Sequence, residues 1–184
     1  MSSSLAAPPP QGRWLSRWKL RRCTRVGHGT RVLGKIWVHG RGKIYVGDHV
    51  FFDARNAPIE LHAKTHATLY IGNGCLIEGG SSLEAVDSIS LGENCHLGPF
   101  VKLMDNHQHQ TTGNRQERPS SNPIVLEQNV KVGAHSILLP GAQLGEGTLL
   151  EAHTVVSRKI PAGAHLQGNP PRALKKEPKK ETPT

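Results

Sequence analysis

The side chains best suited to proton transfer lie together in one polar stretch of the chain. The residues 104–125 include His107, His109 and Asp105 and show no regular apolar spacing. An unperturbed imidazole has a pKa of about 6.5, so a substantial fraction of such side chains is neutral at cellular pH and can accept a proton. A long polar excursion from a regular pattern is typical of a functional loop. We therefore predict that this stretch is a loop with acid–base chemistry.

Aliphatic residues recur at every sixth position on both sides of this stretch. The run that follows it keeps its register without a break: Leu126, Val132, Leu138, Leu144, Leu150 and Val156. Small or β-branched residues follow most of these guide residues four positions later: Val130, Ser136, Ala142, Thr148 and Thr154. A period of six differs from both the α-helical repeat and the alternation of a plain strand.

This pattern predicts an all-β fold, a parallel β-helix of hexapeptide repeats with three short strands in each triangular coil. The guide residues should point inward and stack at the strand spacing of about 4.8 Å. Less regular runs span 26–38, 46–52, 71–83 and 91–103, and we expect the insertions between them at corners, where extra length costs little. An antiparallel barrel with accidental spacing is the alternative, which the unbroken run disfavours.

Three parts of the chain resemble the hexapeptide-repeat sugar O-acetyltransferases, the group of the maltose and galactoside acetyltransferases. The segment 103–110 is similar to the catalytic loop of that family, 129–145 to the next coil, and 155–161 with 168–172 to the end of the last coil. The resemblance covers about 46–175. It implies a left-handed parallel β-helix and transfer of an acyl group, typically acetyl, from coenzyme A.

In such enzymes a loop histidine is the general base for attack on the thioester. The resemblance assigns this role to His109, four residues after Asp105, with His107 as the alternative because this loop has one extra residue. Glu78 stands where the family usually carries an acceptor-binding Asn. The resemblance therefore implies that Glu78 orients His109 or binds the acceptor, and that Asp105 also lies at the acceptor.

The resemblance also implies contacts between coenzyme A and the C-terminal coils. Arg172 and Lys175 would face the adenosine phosphates, since Arg offers a fork of donors and Lys a point charge. A backbone amide near Ala134 would hold the developing oxyanion. The full set of implied cofactor contacts is Ala134, Ala152, Ser157, Arg158, Arg172 and Lys175.

The function predicted on this basis is acyl transfer to a hydroxyl or amine of a sugar or polysaccharide precursor. A homotrimer with active sites between adjacent β-helices is implied by the same resemblance. The acceptor and the length of the acyl chain are left open. A non-catalytic trimeric assembly module is one alternative.

A zinc carbonic anhydrase-like protein is the other alternative, and it depends on histidines. His135 and His153 are one coil apart and should stack on each other, facing outward. No third partner is evident in the sequence, so we expect no metal.

The N-terminal segment contains a short amphipathic pattern. Trp14 and Trp18 are one helical turn apart among basic residues, which predicts a helix. This helix would either cap the open first coil or contact an anionic membrane surface. At the other end, the Lys-, Glu- and Pro-rich residues from Lys175 onward are expected to be disordered.

Charge and cysteine usage set further limits. The net charge is +9, but 13–25 contains six basic and no acidic residues, whereas 26–171 is balanced, so a nucleic-acid groove along the fold is not expected. The three cysteines lack metal-type spacing, which favours reduced core thiols and a cytoplasmic protein, and we see no secretory signal.

The predicted organisation has three parts. A basic extension spans 1–25, the β-helix acyltransferase domain spans 26–167 with its loop at 104–125, and a coenzyme A-contacting segment with a disordered tail spans 168–184.

Overall fold

A computed structural model describes residues 13–107 and 120–174. Within them, one helix, α1 (Arg13–Lys19), precedes 19 strands numbered in chain order. The strands form three faces of a triangular prism, which we call faces A, B and C. The chain passes from A to B to C and then begins the next coil.

The strands of each face follow one another along the prism. Face A contains β1 (Arg25–Val26), β3 (Lys43–Val46), β5 (Thr68–Ile71), β8 (Ser88–Leu91), β11 (Ile124–Leu126), β14 (Gln143–Leu144) and β17 (Lys159–Ile160). Face B contains β6 (Leu76–Glu78), β9 (His96–Leu97), β12 (Lys131–Val132), β15 (Leu149–Leu150), β18 (His165–Gln167) and β19 (Arg172–Ala173). Face C contains β7 (Ser82–Ala85), β10 (Lys102–Met104), β13 (Ile137–Leu138) and β16 (Val155–Val156). The longer strands β2 (Arg31–Gly40) and β4 (Phe51–Ala63) bend at a corner and contribute first to face B and then to face C.

Neighbouring strands pair in parallel throughout, except that β19 runs antiparallel to β18. The fold is the predicted left-handed parallel β-helix, with about six coils. The inward guide residues form one buried column, and those of the unbroken run from Leu126 to Val156 are at most 3% exposed. Their burial on stacked coils supplies the apolar stabilisation of the fold, at roughly 1.5–3 kcal/mol for each large side chain.

The small residues of the repeat close the corners with hydrogen bonds. The buried Ser136 hydroxyl donates to the Glu151 carbonyl at 3.1 Å and accepts the Thr154 amide at 3.1 Å. The Thr154 hydroxyl in turn donates to the same carbonyl at 2.7 Å. A larger side chain at these positions would neither fit the corner nor satisfy its backbone. Cys75 and Cys95 occupy equivalent positions as buried free thiols, as predicted.

The largest insertion in the early coils lies at a corner, as predicted. The pairing of β2 with β4 shifts between Gly34, which faces Ala54, and Ile36, which faces Ile59. Residues 55–58 of β4 therefore lie opposite Lys35 alone, which is an insertion of three residues at the junction of faces B and C. The buried pattern resumes at once with Ile59 and Leu61.

Helix α1 covers the first coil. Leu20, just after the helix, and Ser16 are buried, and the Ser16 hydroxyl accepts the Val32 amide at 3.1 Å. The Lys19 ammonium donates to the Gly34 carbonyl at 2.7 Å. The predicted helix is thus present, and it packs on the first coil. No helix of the described residues has the length and apolarity required to cross a bilayer.

The excursion between the fourth and fifth coils is shorter than predicted. Met104 belongs to β10 and pairs with Glu84, while Ile124 and Val125 belong to β11. The strands extend one or two residues beyond the guide residues because the backbone pairing continues past the buried side chain. The loop proper is therefore 105–123.

Candidate functional site

The root of the loop is fixed by a buried carboxylate. Asp105 is fully buried, and its two carboxylate oxygens accept the amides of Val86 and Asp87, each at 2.8 Å. Burial raises the pKa of Asp105 above its ordinary value, while the amide donors act in the opposite direction. This geometry favours a positioning role for Asp105 over the predicted contact with the acceptor.

The two ends of the loop are tied together at the same corner. The Asn122 amide donates to the Asp105 carbonyl at 3.0 Å, and the Asn106 side-chain amide donates to the Ser121 hydroxyl at 3.1 Å. The chain therefore leaves and re-enters the β-helix at one point, the junction of faces C and A. His107, two residues beyond the buried anchor, is exposed. His109 lies outside the described residues.

Two of the predicted cofactor contacts occupy the same corner as the loop. Ser157 and Arg158 follow β16 at the junction of faces C and A, two coils after the loop. Both are exposed. The Arg158 guanidinium donates to the Pro171 carbonyl at 3.4 Å, so the segment that carries Arg172 runs beside it. Arg172 is exposed in β19, and Lys175 lies outside the described residues.

The other predicted contacts lie on the opposite edge of face C. Ala134 and Ala152 precede β13 and β16, at the junction of faces B and C. The Ala134 carbonyl accepts the His153 amide, and the His135 amide donates to the Pro99 carbonyl, both at 2.9 Å. The corner is therefore held by bonds between coils. Face C thus has the loop on one edge and these alanines on the other.

Glu78 also lies near the second of these edges, and its partner is a residue that the sequence analysis missed. The Glu78 carboxylate is 2.5 Å from the His96 imidazole nitrogen, and both side chains are a little over one third exposed. The two groups are within hydrogen-bond distance, with the imidazole nitrogen as donor and the carboxylate oxygen as acceptor. Within one chain Glu78 is therefore paired with His96 and is separated from the loop root by the width of face C.

The signal for this pair was in the register of the guide residues. Glu78 directly follows Ile77 and His96 directly precedes Leu97, and these two guide residues are paired partners in β6 and β9. The same arrangement recurs on face B in the C-terminal coils, where the Glu151 carboxylate and the His165 imidazole are 2.5 Å apart.

The predicted stack of His135 and His153 is present and faces outward. Their ring centroids are 5.1 Å apart with an angle of 4° between the planes, and Phe100 continues the stack at 4.9 Å. A Cβ at Gly80 would lie 2.3 Å from the Phe100 ring, so the ring needs glycine beneath it. The described residues contain no group of three or more side chains placed to hold a metal ion.

The hexapeptide repeats match a family model. The model described as the hexapeptide repeat of succinyl-transferase matches residues 69–98 and 123–158, the coils on either side of the loop. Among curated relatives, the 2,3,4,5-tetrahydropyridine-2,6-dicarboxylate N-acetyltransferase of Staphylococcus aureus is 31% identical over 84 residues, which are 46% of this chain and 31% of the relative. The chain thus spans about a third of the length of the curated relatives it matches.

Several solved structures share the fold. A variant of AntD, an N-acyltransferase from Bacillus cereus, in complex with dTDP and coenzyme A, has a TM-score of 0.64 at 16% identity over 90% of each chain. Galactoside acetyltransferase in complex with coenzyme A has a TM-score of 0.63 at 18% identity over 92% of this chain and 73% of that chain. The polySia specific acetyltransferase NeuO has a TM-score of 0.59 at 18% identity over 86% of this chain and 84% of that chain.

Removing the Asp105 carboxylate tests its anchoring role. Asp105→Ala leaves the amides of Val86 and Asp87 without their acceptor in a buried site, which costs about 2–5 kcal/mol. We expect the melting temperature to fall by about 5–15 °C, measured by circular dichroism. The matched control is Asp87→Ala, which removes an exposed carboxylate and keeps the backbone amide. An equal loss in both variants would contradict an anchoring role.

Proposed function

We propose that this chain, a hexapeptide-repeat protein of the left-handed β-helix type, transfers an acyl group from coenzyme A to a small acceptor. The curated relative is named as an N-acetyltransferase, and the AntD and galactoside acetyltransferase structures contain coenzyme A. These names support acyl transfer, with acetyl as the first group to test. A cytoplasmic location stays a prediction of the sequence.

One observation carries the proposal, namely the clamped loop on the edge of face C. The coils are otherwise closed at this corner, yet here the chain departs, exposes His107 and continues toward His109. The buried Asp105 at its root fixes where the loop leaves the prism. Fixed placement of a proton acceptor is what general base catalysis requires.

The proposed reaction is a direct displacement. His109, or His107 as the alternative, accepts the proton of an acceptor hydroxyl or amine while that oxygen or nitrogen bonds to the thioester carbonyl carbon. The carbon–sulfur bond then breaks, and the leaving thiolate takes the proton from the imidazolium. The products are the acylated acceptor and the free coenzyme A thiol, with no covalent enzyme intermediate.

Two edges of face C supply complementary parts of this site. The loop lies on one edge with Ser157 and Arg158, and Glu78 and Ala134 lie at the other. A cyclic arrangement that sets the first edge of one chain against the second edge of the next would join them, and three copies close such a ring. This geometry supports the homotrimer implied by the family resemblance, with one site in each crevice.

Charge on the last coils supports a donor site for coenzyme A. The contact between Arg158 and the Pro171 carbonyl holds one guanidinium beside the segment of another, Arg172. Two guanidinium groups at one end of a crevice suit the phosphates of the adenosine moiety.

The acceptor is proposed as a sugar or polysaccharide precursor with a free hydroxyl or amine. Glu78 is held by His96 through one carboxylate oxygen, Oε1. The second oxygen is then oriented for an acceptor hydroxyl or ammonium rather than for His109. Hydroxyl and amine acceptors are therefore both to be assayed, by release of the coenzyme A thiol.

Loss of the general base should abolish most turnover. We expect His109→Ala to lower kcat by about 100- to 10,000-fold, the usual scale for such a group, while His107→Ala has less than a tenfold effect. Thiol release from acetyl-coenzyme A with an acceptor panel measures both. Unchanged melting temperature and molecular mass must accompany the loss.

Comparing the two single variants, and a double variant that carries both substitutions, identifies which imidazole is the general base. A large loss only in His107→Ala would transfer the role to that residue. Near wild-type turnover in the double variant would contradict general base catalysis by this loop.

Removing cationic side chains at the end of the last coil should weaken binding of the donor. We expect Arg172→Ala with Lys175→Ala to raise the KM for acetyl-coenzyme A about tenfold or more, since charge-assisted hydrogen bonds each contribute roughly 1.5–3 kcal/mol. The kcat should change little, because neither group touches the reacting carbonyl. Lys43→Ala with Lys159→Ala, which removes two exposed cations of face A, is the charge-matched control. An unchanged KM would show that neither Arg172 nor Lys175 contacts the donor.

A further inference from the structure

One end of the β-helix carries a concentration of positive charge that the proposed transfer reaction leaves unused. Ten of the 23 Lys and Arg residues precede Asp48, which is the first acidic residue of the chain. After that point 13 basic and 14 acidic residues nearly balance. The net charge of +9 therefore originates in the residues before Asp48, most of which belong to α1, the turn after it and the first coil.

The structure brings part of this charge together with exposed aromatic side chains. A cleft between α1 with its following turn and the second half of β2 is lined by a set that we call the N-terminal patch: Trp18, Lys19, Arg21, Arg22, Lys35 and Trp37. No Asp or Glu is among the described residues that line the cleft. At its rim, His39 lies 3.9 Å from Glu60.

The tryptophans of the patch are unusually open to solvent. Trp18 is 60% exposed and Trp37 is 42% exposed. A cation lies over each ring, with the Arg21 guanidinium 4.7 Å from the Trp18 ring and the Lys35 ammonium 5.1 Å from the Trp37 ring. The two elements thus present the same combination, an indole with a cation on it, on the same surface.

Capping of the first coil does not account for this surface. The inward side of the helical segment, Ser16 and Leu20, is buried on β2 and satisfies the open coil. Leu15 and Trp18 lie on the outward side and remain exposed. The helix therefore has a second apolar side, which a purely structural cap would not need.

We propose that the N-terminal patch binds the surface of a bilayer that contains anionic phospholipid. Each Lys or Arg near such a surface contributes attraction of about 1 kcal/mol, and indole rings favour the interface between headgroups and acyl chains. Cations alone would suit any polyanion, but the exposed indoles and Leu15 supply apolar area for which a soluble polyanion offers no partner.

The N-terminal patch is separated along the prism from the root of the loop. The patch lies on the first coil, and the loop leaves the prism three strand spacings further along face C, after β10. At about 4.8 Å for each spacing, the loop root is roughly 14 Å from the patch. Membrane binding and the proposed acyl transfer can therefore be tested separately.

Vesicle sedimentation with the full chain tests the proposal. We expect the protein to pellet with vesicles of phosphatidylcholine and phosphatidylglycerol, but not with phosphatidylcholine alone. The three tryptophans of the chain, Trp14, Trp18 and Trp37, all precede Asp48, so intrinsic fluorescence reports on this region. Binding should shift the emission to shorter wavelength, and brominated acyl chains should quench it.

Two pairs of substitutions separate the apolar and the electrostatic contributions. Arg21→Glu with Arg22→Glu should lower the vesicle partition coefficient measured by sedimentation by at least about tenfold. Trp18→Ala with Trp37→Ala, which removes both indoles and keeps the charge, should lower the same coefficient by about tenfold. The controls on face A are Lys43→Glu with Lys159→Glu, which makes the same change of charge, and Tyr70→Ala, which removes a 47% exposed aromatic side chain. Both controls should bind as the unaltered chain does. Circular dichroism and thiol release should be unchanged in all four variants.

Three results would overturn the proposal. Vesicle binding that is unchanged in both pairs of substitutions would show that the N-terminal patch is not the membrane-binding surface. Binding to heparin with no spectral shift on vesicles would indicate a soluble polyanion as the partner. A lower molecular mass in the patch variants would instead make this surface a contact between copies of the chain.

Discussion

The stacking of one coil on the next at the parallel-strand spacing constrains every other feature of this molecule. Each guide residue must stack on the guide residue of the coil before it, because the column they form makes up most of the apolar core of the described residues. Any departure from the six-residue period inside a face would turn a buried side chain outward. Extra residues are therefore confined to the corners, where 55–58 and the loop both lie.

This constraint explains how the loop that contains His107 and His109 can be inserted into so regular a fold. The chain can leave only at a corner, and it must return in register for β11 to pair with β8. Asp105 makes this possible by accepting two amides of the preceding coil. The two edges of face C then hold different parts of the candidate site, which is why the proposed reaction places the site between two chains.

Much of the fold could be predicted from the sequence because the period is a local property. The guide residues, the small residues at the corners, the stacked His135 and His153, and the covering helix all follow from spacing alone. The site was less predictable, because it depends on which outward side chains become neighbours after each insertion. The pairing of Glu78 with His96 required the register of Ile77 with Leu97, across a coil that is longer than the regular repeat.

The burial of Asp105 could not be predicted from the sequence either, because it depends on contacts between coils. Its sequence neighbourhood is polar, and resemblance to a catalytic loop implied a residue that faces the acceptor. Its burial comes from contact with Val86 and Asp87 in the preceding coil, which spacing within the loop does not reveal. The N-terminal patch likewise combines Trp18 of α1 with Trp37 of β2, two residues that lie apart in the sequence.

In the proposed reaction, the loop places an imidazole beside a thioester held between two chains. A crystal structure of the full assembly with acetyl-coenzyme A would locate both groups. We expect the acetyl group in a crevice between two copies, with the His107 or His109 ring of one chain at its carbonyl and the adenosine phosphates against Arg158 and Arg172. A structure in which the loop faces open solvent, away from any crevice and from the bound cofactor, would contradict it.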